Sequence, residues 1–167
     1  LTLANVKKAM YARIYTDKRA GWYFQQFLKL GYARVCTEKA YIVWDADTVP
    51  VRPISFRNEQ GQYLFNVRPE YNKIEANDRL PGAAFWEKIL AAVPLDALKG
   101  SGFSEFETYG TWAMTRCPGR YEVRPLHGLR SGKNILGQAP DAETLEWVGQ
   151  SYDTVAMEKF SASTPLR

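Results

Sequence analysis

Five consecutive apolar residues, Ala40-Tyr41-Ile42-Val43-Trp44, run straight into Asp45-Ala46-Asp47. A run this short, with β-branched and aromatic members and no alternation, predicts a strand buried on both faces. Strands of that kind belong to parallel or mixed sheets covered by helices. The upstream residues supply such helices. Leu3, Val6, Met10 and Ile14 recur at helical spacing, which predicts an amphipathic helix over 2–15, broken by Asp17 to Gly21. A second helix is expected over 22–32. Tyr23, Phe24, Phe27, Leu28 and Leu30 then form its core face, with Trp22, Gln25, Gln26 and Lys29 on the other.

Downstream, Ile54-Ser55-Phe56, a turn over 58–62 and Tyr63 to Val67 read as strand, turn and strand. Phe85, Ile89 and Val93, with Trp86 and Leu90, mark a third helix stopped by Pro94. The segment Phe103 to Gly110 is treated as a loop or extended run, with a helix from Trp112 to Arg116 closed by Pro118-Gly119. Tyr121 to Leu126 is strand-like, and Asp141 is the expected N-cap of a final helix through Glu143, Leu145, Trp147 and Val148. Helices alternating with strands place the chain in the α/β class. One domain is expected over 1–167: a basic helical front end 1–34, a core with the aspartate pair 40–67, and the remainder 74–167.

Composition narrows the function classes. The 167 residues are 46% hydrophobic and 24% charged, values that exclude disordered, collagen-like and disulfide-scaffold chains. No apolar run approaches the roughly 18–20 residues of a membrane span, and no signal-peptide pattern opens the chain. Cys36 and Cys117 lack metal-site spacing and are too few for a disulfide framework, so a reducing, cytoplasmic setting is expected. The net charge of +4 is uneven: residues 1–34 hold seven Lys and Arg against Asp17 alone, a net of +6, which leaves −2 for the rest. A basic front end suits a phosphate-bearing ligand or peripheral contact with an anionic membrane surface, at the inner face of a membrane. No nucleic-acid-binding motif accompanies the charge, so nucleic acid is not an expected partner.

Three groups carry chemistry. Asp45 and Asp47, leaving the end of a strand, are able to converge on a hard cation such as Mg²⁺ or Mn²⁺, which keeps open positions for phosphate oxygens. An Asp-rich turn whose side chains cap local N–H groups produces the same pattern. If the run from Phe103 is extended, Glu105 and Glu107 project to one side with Tyr109 behind them. Such acids accept a hydroxyl proton or hold sugar hydroxyls while an aromatic ring packs on the sugar face; a solvated acidic loop anchored by Phe103 and Phe106 is the structural alternative. Gln25, Gln26 and Lys29 are able to reach a nucleotide's diphosphate or sugar if their helix face is open, and the lone His127 is a further metal-ligand candidate.

Three segments in order, Gly21-Trp22-Tyr23-Phe24-Gln25-Gln26-Phe27-Leu28-Lys29-Leu30, Tyr41 to Val49 around Asp45-Ala46-Asp47, and Gly102-Phe103-Ser104-Glu105-Phe106-Glu107-Thr108-Tyr109-Gly110, resemble motifs of one group. That group is a largely bacterial set of proteins of unassigned function that resemble GT-A-type glycosyltransferases. The Phe85 to Leu90 helix also fits it. The resemblance implies a GT-A-like, Rossmann-like mixed sheet flanked by helices. It implies transfer of a sugar from a nucleotide-sugar donor to a glycan or lipid-linked acceptor, dependent on Mn²⁺ or Mg²⁺. Asp47 would ligate the cation and Asp45 the ribose or cation, with Gln25, Gln26 and Lys29 on the donor side. Glu105 and Glu107 fall where a base-supplying or acceptor loop is expected, Tyr109 and Trp112 on the acceptor side, and His127 where such enzymes often place a late cation ligand. A first strand is expected before Leu1 and a further segment between Lys73 and Ile74, so the chain is expected to be an incomplete view of the full domain.

Two alternatives belong beside this reading. Tyr41 to Val49 also resembles the first motif of haloacid-dehalogenase-type phosphatases, in which Asp45 would be the nucleophile and Asp47 the general acid/base. No later acidic doublet follows an apolar strand to complete that chemistry. A non-catalytic carbohydrate-binding module would use the aromatic residues for sugar stacking.

Overall fold

The computed structural model describes residues 1–66 and 84–158, and the chain is mixed α/β. The expected segment between Lys73 and Ile74, and the end of the strand at Val67, lie outside the described residues. The chain forms two compact units, each built from two stretches of sequence.

The first unit, residues 1–41 with 84–116, is helical. Helix α1 spans Leu3–Ile14, α2 Ala20–Gly31, α3 Phe85–Ala92 and α4 Glu105–Arg116. Thr2 caps α1, its Oγ1 accepting from the Asn5 N–H at 3.2 Å. Val93 ends α3 because the following Pro94 excludes helical ψ; its ψ of 127° is extended. The carbonyls left open there are taken by the Arg13 guanidinium, which donates to Leu90 O and, at 3.3 Å, to Val93 O. The core gathers Val6, Met10, Tyr23, Phe27, Trp86, Leu90, Leu98 and Phe103. Phe27 is its centre, its ring 6.0–6.3 Å from those of Phe85, Trp86 and Phe103. Gly102 makes a close approach that no other residue fits: a Cβ there would lie 2.7 Å from Val93 Cγ1 and 2.8 Å from Ala97 Cβ.

Helix α4 replaces the loop or extended run considered over 103–110. Ser104 starts it, its Oγ accepting from the Glu107 N–H at 3.4 Å and its carbonyl from the Thr108 N–H at 3.1 Å. The residues Ser104-Glu105-Phe106-Glu107 are the S-x-x-E signature of a helix N-terminus, and this local preference prevails.

The second unit, residues 42–66 with 117–158, holds the strands. They are β1 Thr48–Pro50, β2 Tyr63–Asn66, β3 Tyr121–Arg124, β4 Gly128–Leu129 and β5 Thr154–Ala156, with short helices α5 Gly132–Ile135 and α6 Ala142–Gly149. Central β5 pairs antiparallel with β1 and parallel with β4, while β2 and β3 form a separate parallel pair. Val148 of α6 packs with Val155 and Met157, flanked by Val49, Val51, Leu129 and Leu136. Gly149 permits this packing, since a Cβ there would sit 2.5 Å from the Val51 carbonyl oxygen. Asp141 caps α6 through the Thr144 N–H at 2.8 Å, as expected. The expected turn over 58–62 is present, closed by Asn58 N–H to Gln62 O at 3.0 Å with Gly61 at φ 77°.

The strand expected at Ala40 to Trp44 does not form; these residues are irregular, and Ile42 is 56% exposed. The apolar run is divided at the point where the chain leaves one unit for the other. Tyr41 belongs to the helical unit, its hydroxyl donating to Lys29 O at 3.1 Å and its ring edge-on to Tyr32. Trp44 anchors the other unit, donating from Nε1 to Thr48 O at 2.7 Å beside the Phe56 ring. The residues Ile54 to Phe56 are likewise no strand. Among the described residues no helix is long and apolar enough to cross a membrane.

Candidate functional site

Within the helical unit the structure brings together residues from two of the three motifs. Lys29 of α2 reaches Glu105 at the start of α4, Nζ to Oε1 2.7 Å, with only 14% and 3% of their side chains exposed. Glu105 lies in the first turn, where a negative charge also meets the positive end of the helix dipole. The Lys29 ammonium sits 4.9 Å from the Phe106 ring centre. Gln26, 5% exposed, turns its Oε1 toward the Glu105 N–H in a long contact of 3.5 Å. That N–H is one of the helix's open first-turn donors, which explains why an amide is buried beside Tyr23 and Phe27.

This placement revises the expected face of α2. Gln26 is on the core side while Leu28 is exposed; Gln25 is exposed, and Lys29 is committed to Glu105. The three expected donor-side residues therefore do not act as one open surface. Glu105 and Glu107 do not share a side either, since two residues on a helix stand about 200° apart. Glu105 is sealed beneath Lys29. Glu107 is half-buried, and burial together with the Glu105 charge raises its carboxyl above the ordinary glutamate range. Further along α4, Tyr109 and Trp112 are both half-exposed, their rings 5.8 Å apart and tilted by 31°.

In the second unit, Asp45-Ala46-Asp47-Thr48 is a turn closed by the Thr48 N–H donating to Asp45 O at 2.9 Å. Asp is a favoured first residue of such turns. The pair thus precedes strand β1 instead of ending a buried strand, and both the transferase and the phosphatase expectations had assumed the latter. The turn is pinned at its far side, where Met157 N–H donates to Asp47 O at 2.6 Å and extends the β1–β5 ladder. Asp47 is exposed and Asp45 half-buried. Asp45 and Asp47 are thus two hard-oxygen side chains, two residues apart in one pinned turn, of the donor type that Mg²⁺ or Mn²⁺ takes.

His127 is not part of that set. It precedes β4 and aligns with Asp153, whereas Asp47 aligns with Met157 at the other end of β5. The step from Asp153 to Met157 through β5, four residues of extended chain, is about 13 Å, and the two flank β5 on opposite sides at about 4.8 Å each. His127 instead meets Asp153, which accepts its backbone N–H at 2.7 Å and also the Arg52 Nε at 2.5 Å. The Arg52 hydrogen bond and the His127 N–H hold the Asp153 carboxyl below its usual range. This Arg52–Asp153 clasp had no sequence signature, since its members lie 101 residues apart. The Lys29–Glu105 pairing had a partial one, because the S-x-x-E box locates the helix start that makes Glu105 a first-turn residue. Among the described residues no cluster of three or more His, Cys, Asp and Glu forms a preassembled metal cage. Comparison with protein-family models, with curated proteins and with solved structures finds no match to this chain.

Proposed function

We propose that the chain is a GT-A-like glycosyltransferase domain that moves a sugar from a nucleotide-sugar donor to a glycan or lipid-linked acceptor, with Mn²⁺ or Mg²⁺. The observation that carries the reading is the pinned Asp45-Ala46-Asp47 turn, with Asp47 exposed at the surface. The ordered resemblance of three motifs adds to it, and two of those motifs pack together through Lys29 and Glu105. In this reading the short strands are part of a GT-A-like, Rossmann-like sheet.

Asp47 and Asp45 would hold the cation, which when bound neutralises the charge developing on the departing diphosphate. The backbone that carries them is fixed by the two hydrogen bonds of the turn. Glu107 is the group proposed to accept the acceptor's hydroxyl proton. Its raised carboxyl suits that task, because a base works best with a pKa drawn toward the working pH. Glu105 is a positioning residue, joining the first turn of α4 to Lys29 on α2. Tyr109 and Trp112 offer ring faces to an acceptor sugar. Gln25 remains an accessible donor-side candidate. His127, set apart from the aspartate pair by the β5 register, is not assigned to the cation in this reading.

The test is turnover of a nucleotide-sugar panel with and without Mn²⁺. Asp47→Ala should abolish the metal-dependent reaction with the far-ultraviolet spectrum unchanged. Glu107→Gln should retain donor binding yet reduce transfer by about 10²–10⁴-fold. Wild-type turnover in Glu107→Gln would remove it from the chemistry, and metal-independent turnover would remove the aspartate pair.

A further inference from the structure

Ala4, Lys8, Tyr11 and Tyr15 follow one another at spacings of four, three and four along α1 and its cap, which places them on one stripe opposite the buried Val6 and Met10. All four are exposed. Tyr11 and Tyr15 stand 58% and 81% in solvent, with their rings edge to face at 6.3 Å. Tyr15 is also the C-cap, at φ 55° and ψ 25°. This left-handed conformation normally falls to glycine or asparagine because a Cβ crowds the backbone there, and a bulky ring makes it an outlier. The strain is not recovered in the core, since the ring is almost wholly in solvent. A strained residue retained without a packing return points to a role outside the fold.

Charge indicates what that role serves. Of the seven cations over residues 1–34, Arg34 is exposed past the end of α2, Arg13 serves the end of α3, Arg19 binds Gly100 O and Ser101 Oγ, and Lys29 holds Glu105. Lys7 pairs with Asp17 at 3.5 Å. Lys8, within the stripe, and Lys18, three residues past Tyr15, are exposed. The stripe is therefore two amphipathic phenol rings with Lys8 beside them, and the exposed Lys18 follows it in the chain. Tyrosine favours the headgroup level of a bilayer, and lysines near an anionic leaflet each add attraction there. We propose that the outer face of α1, through Lys8, Tyr11 and Tyr15 and with Lys18 in the segment that follows, docks peripherally on a bilayer containing anionic phospholipid. The inference stands apart from the transferase reading and does not need it.

The experiment is co-sedimentation of the full chain with vesicles of phosphatidylcholine alone and with added phosphatidylserine. Binding is expected only to the anionic vesicles and should weaken as salt rises. Lys8→Gln and Lys18→Gln should each lower partitioning about fivefold. Tyr15→Gly is the discriminating variant: it should lose vesicle binding while raising Tm by about 2–4 °C, because glycine relieves the left-handed strain. Equal binding to neutral vesicles, no binding to anionic ones, or unchanged binding by Tyr15→Gly would overturn the proposal. A lower Tm in Tyr15→Gly would show that the residue serves the fold. Equally tight, salt-sensitive binding to a single-stranded oligonucleotide would replace the lipid with a generic polyanion.

Discussion

Removing the ammonium from the Lys29–Glu105 pair tests how α2 and α4 are joined. At 2.7 Å, the gross attraction is about 6 kcal/mol for an effective dielectric near 20. Desolvation of both groups offsets much of it, so the pair's net worth is far smaller than that figure. Breaking it from one side is another matter. Lys29→Met keeps the methylenes over Phe106 but leaves the Glu105 carboxylate buried at 3% exposure with its counter-charge gone. The expected loss is about 3–5 kcal/mol. Glu105→Gln should also destabilise, because it removes the buried carboxylate that Lys29 Nζ meets at 2.7 Å. The double variant Lys29→Met/Glu105→Gln strands neither charge, so it should be about 2–3 kcal/mol more stable than the sum of the single losses implies. Urea unfolding followed by ellipticity at 222 nm reads this directly, with single-variant midpoints lowered by about 1.5–2.5 M for a slope near 2 kcal/mol/M. Single variants within about 1 kcal/mol of the parent, or strictly additive losses, would refute the reasoning and make the pair incidental to α4's placement.

Gly102→Ala should destabilise by about 1–3 kcal/mol, measured by thermal unfolding, because its Cβ would press on Val93 and Ala97, one of them through the backbone carbonyl. Arg52→Ala should lower stability at neutral pH, with a difference from the parent that shrinks in acid. Asp153 has a depressed native pKa, so its stabilisation is present above the unfolded value of about 3.9 and is lost as pH falls through the native one. Equal differences in Tm at pH 7 and pH 2.5 would contradict that assignment. Glu107→Gln should be slightly more stable than the parent at pH 7 and equal to it at pH 3. A carboxyl raised by burial penalises the native state once pH rises past the unfolded value, and the amide removes the penalty. A less stable variant at pH 7 would mean that the carboxylate serves the fold.

Elements with strong local signals were legible in the amino-acid sequence. The 3.6-residue period of Leu3, Val6, Met10 and Ile14 gave α1, expected over 2–15 and found at Leu3–Ile14. Pro94 marked the end of α3, and Asp141 the start of α6. Tyr63 to Asn66 and Tyr121 to Arg124 form strands as their composition suggests. What was not legible depended on long-range partners. Strands β4 and β5 are two and three residues long and exist through pairing, with no period of their own. Ala40 to Trp44 has strand composition, but its residues are shared between two units, each of which draws in one aromatic anchor. Gln26 looked like a solvent-facing residue by helical projection; the open N–H groups of α4 give it a buried place. In 103–110 the aromatics and glycines have a loop-like composition, but the capping signature at Ser104 and Glu107 sets the start of a helix. The candidate chemistry follows the same division. The aspartate pair was visible as a local pattern, whereas the separation of His127 from it follows from the register of β5 with β1 and β4.

Calorimetric titration of nucleoside diphosphates into the chain, with and without Mn²⁺ and in parallel with Asp47→Ala, bears most directly on the proposed transferase activity. Binding of one base in preference to others, dependent on Mn²⁺ and lost in Asp47→Ala, is the expected result. Absence of binding by every nucleotide, or binding indifferent to both the cation and Asp47, would contradict it.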